Sequence, residues 1–305
     1  MIAYELIVPS ASRPHLLERA LDSLLTQVDQ LPNRILVHDD AAFPGRQGPV
    51  TEVLAEAGRV HGVPVVWQLQ DPASGHGAAL GWLLSHATTE YVLYTQDDLL
   101  AVRPLPIGRA LAVMARHGLH QIRFNKRATM GWKGGWPKKE YAFASREHDP
   151  GCTGAIVGTP ELGAHSLGTC GCGAAEICTV ADHWYFQTGL WRRERSQKAV
   201  EWWIAHTGEW FREHTEVKVN RLMNGEVGEF NAAPAFDLPA PGRAMDPDER
   251  ARVQRTFIWG EIGLDRFIDN LGGDPADWAL FRPRGGVTGP GSDRDSQAAE
   301  RGARP

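Results

Sequence analysis

Between residues 4 and 98, apolar runs alternate with segments of helical spacing, and two of those runs end in paired aspartates. The run Tyr91-Val92-Leu93-Tyr94-Thr95-Gln96-Asp97-Asp98 reads as a buried strand that stops at two carboxylates. Adjacent like charges repel, so such a pair stays solvated or finds a cation. A solvated strand-to-loop turn satisfies that requirement, and so does a divalent metal carrying a phosphate.

Upstream, Tyr4-Glu5-Leu6-Ile7-Val8-Pro9-Ser10 is a second short strand. After Ser12-Arg13-Pro14 come Leu16, Leu17, Ala20, Leu21, Leu24 and Leu25, the three-and-four rhythm of an amphipathic helix. Ser12 is placed as its N-cap, with Pro14 tolerated in the first turn. Arg34 to His38 reads as a strand ending in Asp39-Asp40, Val50 to His61 as a helix, and Val63 to Gln70 as a strand. Gly75-His76-Gly77 then opens a glycine-punctuated helix that leads into Tyr91. This alternation predicts an α/β fold, a mostly parallel sheet flanked by helices. In such sheets ligands bind beyond the carboxyl ends of the strands. Both aspartate pairs lie at such ends, which places them around one crevice.

The rest of the chain is less regular. Gln121 to Phe124 reads as a strand, and residues 125–139 interleave five cations and two tryptophans with glycines. That segment is either a solvated basic loop or one that receives an anionic or planar acceptor, nucleic acid included. The net charge of -5 argues against a general nucleic-acid binder. Cys170, Cys172 and Cys178 cluster near His183 with spacing unlike paired zinc knuckles, and free thiols in a reducing compartment suit 4 cysteines in 305 residues. His206 and His214 lie near the same region. No basic-then-apolar leader opens the sequence and no run approaches ~18 apolar residues, so a cytoplasmic protein without a membrane span is expected. Pro247 to Asn270 has helical apolar spacing behind an N-cap at Asp246, and residues 285–305 have the composition of a disordered tail.

The strings IVPSASRPHLLERALDSLLTQ, ILVHDD and GHGAALGWLLSHATTEYVLYTQDD, in that order, resemble the nucleotide-sugar-binding half of family 2 glycosyltransferases of the GT-A fold. The resemblance spans residues 4 to 105. It implies a donor-binding half over 1–120 and an irregular acceptor-binding, catalytic half over 121–284 that carries the C-terminal helix. It also implies transfer of a sugar from a nucleotide-diphosphate-sugar to an acceptor hydroxyl with inversion. Pro9 and Arg13 would lie near the nucleotide, Asp39 or Asp40 would contact base or ribose, and Gly75 and Gln96 would belong to the donor side. Asp98 would hold Mn²⁺ or Mg²⁺, with Asp97 beside it as a ligand or sugar contact. Gln96 stands where the family has an acid, and an amide brings hydrogen bonds without charge.

On the acceptor side, residues 181–193 resemble an aromatic strand leading into a helix near an arginine pair. Glu216, at the start of a helix that would end at Gly225, matches the family's catalytic base, with Asp182 as the alternative. Val217 replaces a second acid usual there. The acceptor is a carbohydrate or, given the basic tryptophan-bearing segment, a modified pyrimidine in DNA. A nucleotidyltransferase and a catalytically idle nucleotide-sugar-binding protein are the competing readings. Against the nucleotidyltransferase stands the absence of glycine from Pro9 to Pro14.

Overall fold

The computed structural model describes residues 1–40, 45–124, 143–146, 177–181, 188–207, 256–259 and 267–271. All of them belong to one compact unit, Met1–Gly272. The first part runs β1 (Tyr4–Ser10), α1 (Pro14–Gln27), β2 (Ile35–Asp40), α2 (Gln47–His61), β3 (Val65–Gln70), α3 (His76–His86) and β4 (Tyr91–Tyr94). Then come β5 (Leu99–Ala101), α4 (Ile107–His117), β6 (Gln121–Phe124), β7 (Phe143–Arg146) and β8 (Ile177–Ala181). Last are β9 (Gly189–Arg192), α5 (Arg193–Thr207), β10 (Thr256–Trp259) and β11 (Ile268–Asn270).

The main sheet has the order β3-β2-β1-β4-β9-β6-β10-β8-β7. Its first four strands are parallel neighbours. β9 enters antiparallel between β4 and β6, and β8 is antiparallel to its neighbours β10 and β7. The other strands share one direction, so the sheet is mostly parallel, as the alternation predicts.

A parallel strand covered on both faces must be apolar on both, and all seven residues of β1 are buried. Tyr4, Leu6 and Val8 join one cluster with Leu17, Leu21 and Leu24 of α1 and Leu111 of α4. Ile7 joins the opposite cluster with Leu80, Leu83 and Leu84 of α3 and Val200 of α5. The buried face of α1 is the leucine face read from spacing, and burying each such leucine contributes about 2 kcal/mol.

At the amino end of the sheet, Glu5 is buried against Arg34, whose Nε donates to Oε1 at 2.5 Å. The backbone amides of Thr88 and Thr89 donate to Oε2 at 2.6 and 3.2 Å. Burial opposes ionisation of Glu5, yet these bonds together hold its pKa below the ordinary carboxyl value. In the middle of the sheet, Tyr94 stacks on Trp191 at 4.2 Å between centroids. Beside them Gly189 admits no side chain, because a Cβ there would stand 2.5 Å from the Ile122 carbonyl oxygen.

Two expectations need correction. Within the stretch expected as one helix from Pro247 to Asn270, the described residues are mostly strand: Thr256–Trp259 pairs with β6 and β8, and Ile268–Asn270 pairs with β5. The run Thr-Phe-Ile-Trp is β-branched and aromatic, and its hydrogen-bonding partners outweigh the helical spacing around it. Ser12 is not the cap of α1. Arg13 occupies that position without a side-chain cap bond, and the Ser12 hydroxyl is bonded to Asp39 instead.

Candidate functional site

The carboxyl ends of β1, β2 and β4 meet the amino end of α3 around one cleft of about 210 Å³. Pro9, Ser10, Ala11 and Arg13 line one wall, Asp40, His76 and Ala79 another, and Gln96 and Asp97 complete it. One member of each aspartate pair, Asp40 and Asp97, lines this cleft at the strand ends.

The two members of the first pair differ. Asp39 is fully buried. Its Oδ2 accepts the Ser10 hydroxyl and the Ser12 amide, each at 2.8 Å, and its Oδ1 accepts the Ser12 hydroxyl at 2.5 Å. Asp40 lines the cleft. It accepts the Gly75 amide at 2.7 Å, and also the Ser74 amide, fastening the loop that starts α3. Gly75, at φ 91°, is the N-cap of that helix, a backbone conformation that glycine supplies without strain.

The second pair also divides. Asp97 is 2 % exposed, and both its oxygens are bonded by the Arg13 guanidinium. The Ala11 amide donates to it at 3.1 Å and the Ser10 hydroxyl at 3.3 Å. Burial pushes the Asp97 carboxyl up, while Arg13 and the Ala11 amide pull it back. Asp98 is more open, with Oδ2 3.8 Å from Arg13 Nη1. Its Oδ1 is buried and has no hydrogen-bond partner among the described residues.

An unsatisfied buried carboxylate oxygen suits a hard divalent cation. Mg²⁺ in phosphate sites is commonly held by one or two carboxylates with substrate oxygens completing the shell. Among the described residues no group of three His, Cys, Asp or Glu gathers to hold a metal. The open oxygen of Asp98 is a place where a metal arriving with phosphate ligands fits.

Gln96 donates from Nε2 to the Tyr94 hydroxyl at 2.9 Å, which fixes the amide at the edge of the cleft. Next to it, the Thr95 and Thr188 hydroxyls are 2.9 Å apart and tie β4 to the start of β9. His76 lies at the first turn of α3 with its Nε2 shielded from solvent. Burial lowers its pKa to about 4, so it is neutral at physiological pH.

Pro9, Arg13, Asp40, Gln96 and Asp97 are thus brought together around one cleft, with Gly75 fastened to Asp40 and Asp98 next along the chain. Ser10, Ser12 and His76 are not among the site residues read from the sequence, where Ser12 is a helix cap. The hydroxyls two apart after an apolar strand are a signal for the first two, and the helix-opening glycines are a signal for His76. Glu216, Asp182, the segment 125–139 and the residues Cys170, Cys172, His183 and His214 lie outside the described residues. Of Cys178 and His206 the backbone alone is described. Among the described residues no helix is long and apolar enough to cross a membrane.

Neither a protein-family model nor a curated protein matches the sequence. Solved structures do. TarS 1-349 from S. aureus is similar at TM-score 0.47 and 12% identity, over 91% of this chain and 62% of that one. The mannosyltransferase PcManGT from Pyrobaculum calidifontis, in complex with GDP-Man and Mn²⁺, has TM-score 0.35 and 23% identity over 41% of this chain and 36% of that one. Glucosyl-3-phosphoglycerate synthase from Mycobacterium tuberculosis, in complex with Mn²⁺, UDP and glucosyl-3-phosphoglycerate, has TM-score 0.30 and 19% identity over 41% and 44% of the two chains. The chain spans less than two thirds of the length of each. These likenesses are of architecture and do not say what this chain binds.

Proposed function

We propose that the chain is a metal-assisted glycosyltransferase that moves a sugar from a nucleotide-diphosphate donor to an acceptor hydroxyl. One observation carries this reading: Arg13, Asp40, His76, Gln96 and Asp97 line one cleft at the strand ends, next to the unsatisfied oxygen of Asp98. Arg13, held in place by Asp97, brings a guanidinium charge to the cleft wall, and that charge suits phosphate oxygens. Asp40 offers an acceptor, and Gln96 an amide, for base, ribose or sugar hydroxyls. A neutral His76 can hydrogen-bond a ligand without adding charge beside Arg13. Mn²⁺ or Mg²⁺ at Asp98 would neutralise the diphosphate as it leaves.

The finer steps rest on the sequence resemblance. Glu216 would take the acceptor proton, with Asp182 as the alternative, in a single displacement that inverts the anomeric carbon. The acceptor would be a carbohydrate or, where the basic segment 125–139 receives it, a modified pyrimidine in DNA. Neutralising Lys133, Lys138 and Lys139 would then weaken DNA binding and leave donor binding intact. The four cysteines, read as free thiols, fit a cytoplasmic setting.

Thermal unfolding against nucleoside diphosphates and nucleotide sugars, with and without Mn²⁺, tests the reading. Ligand at ~100 times its Kd adds about 2.7 kcal/mol to stability. A Mn²⁺-dependent shift with one nucleotide, abolished in Asp98→Ala, is expected. The absence of a shift with every nucleotide would overturn the donor site.

A further inference from the structure

We propose that Asp39 is a positioning residue: without touching a ligand, it holds Ser12 in the left-handed backbone region and so delivers Arg13 to the cleft. The ligand in this inference is the nucleotide donor proposed above.

Three observations combine. First, Asp39 has no exposed surface, so nothing entering the cleft meets it. Second, three hydrogen bonds run from Ser10 and Ser12 to its two oxygens. Third, Ser12 has φ 56°, and no other non-glycine residue among those described has a positive φ. That conformation is strained for any residue with a Cβ and persists where the surroundings over-determine it. The Asp39 carboxylate does so by gripping both the amide and the hydroxyl of Ser12, two charge-assisted bonds on one residue. Ser12 immediately precedes Arg13, the N-cap of α1, so its torsion sets the direction in which Arg13 leaves the chain. Arg13 then bonds both oxygens of Asp97 on the far side of the loop. Asp40 contrasts with its neighbour, since it lines the cleft and fastens the opposite wall.

The test titrates the full-length chain with UDP and GDP in the presence of Mn²⁺. Losing a charge-assisted bond in Asp39→Ala is expected to raise Kd about tenfold. Asp39→Asn keeps an acceptor for the Ser12 amide and is expected to lose less. Adding Ser12→Gly to Asp39→Ala is expected to recover most of the affinity, because glycine holds a positive φ unaided. In ligand-free protein, the Ala11 and Ser12 amides should exchange about tenfold faster in Asp39→Ala, while the amides of β1 keep their protection. If Asp39→Ala does not fold, Asp39→Asn with and without Ser12→Gly supplies the same comparison.

Equal loss with and without Ser12→Gly would overturn the inference, since a direct ligand contact or general destabilisation predicts that result. Unchanged exchange at Ala11 and Ser12 would overturn it as well. If the wild-type chain binds neither nucleotide, the thermal panel over every nucleotide decides the donor reading separately, and the exchange comparison alone decides the role of Asp39.

Discussion

The two ends of the central parallel strands carry the same device with opposite outcomes. At the amino end, buried Glu5 meets Arg34, and the Thr88 and Thr89 amides fill out its bonding. At the carboxyl end, buried Asp97 meets Arg13, but a second carboxylate follows at once, and one Asp98 oxygen has no hydrogen-bond partner among the described residues. The environment lowers the pKa of Glu5 and raises that of Asp97. A buried ion pair is thus no fixed quantity; its effect depends on how far the bonds around it offset the cost of burial, which at Asp97 they do only in part. The completed pair is a lock. The incomplete one retains acidic charge that an incoming cation can use.

The largest expected effect separates the ends by stability. Arg34→Ala removes a charged donor from buried Glu5, whose threonine bonds remain, so a loss of about 2 kcal/mol is expected in denaturant unfolding. Ligand affinity should not change. If Arg34→Ala weakens nucleotide binding as strongly as a cleft mutation, the distinction between the ends collapses.

Arg13→Ala is the counterpart. It should raise the Kd of the bound nucleotide about tenfold, or 1.4 kcal/mol, as titration calorimetry would show. Unchanged affinity would mean that Arg13 serves Asp97 alone.

The smallest effect is in pH. His76 has a folded pKa of about 4 against an ordinary 6.5, so the unfolded chain takes up its proton first. Its stability contribution is whole above pH 6.5 and drains away as the pH falls toward 4. Glu5 acts in the same sense lower down: its contribution is present above 4.5 and is lost as the pH falls through its depressed folded value. Melting temperatures across this range should decline. His76→Gln should flatten the upper part of the decline and Glu5→Gln the lower part.

Much of the region from β1 to β4 is legible in the sequence because its strands are buried on both faces and its helices on one. Continuous apolar runs give β1, β2 and β4, and the leucine spacing gives α1. The division of labour within each aspartate pair is not legible. Asp39 and Ser12 lie far apart in the chain, and although adjacent residues on a strand face opposite ways, which of the two meets the cleft is settled only by the elements packed around them. The same non-local logic explains β10. Thr256–Trp259 is too short for its spacing to distinguish helix from strand, and its pairing with β6 and β8 decides the matter. Nor does local pattern reveal that β9 lies between β4 and β6.

That insertion has a consequence in time. β4 ends at Tyr94 and β6 at Phe124, yet the strand that joins them begins at Gly189. A chain made from its amino end, at roughly ten residues per second, carries an open β4 edge for several seconds before its partner exists. Unpaired edges are the places where growing chains stick to one another. The production of this protein is therefore most vulnerable while residues 95 to 188 are being synthesised, and a stall in that interval would expose the middle of the sheet rather than its rim.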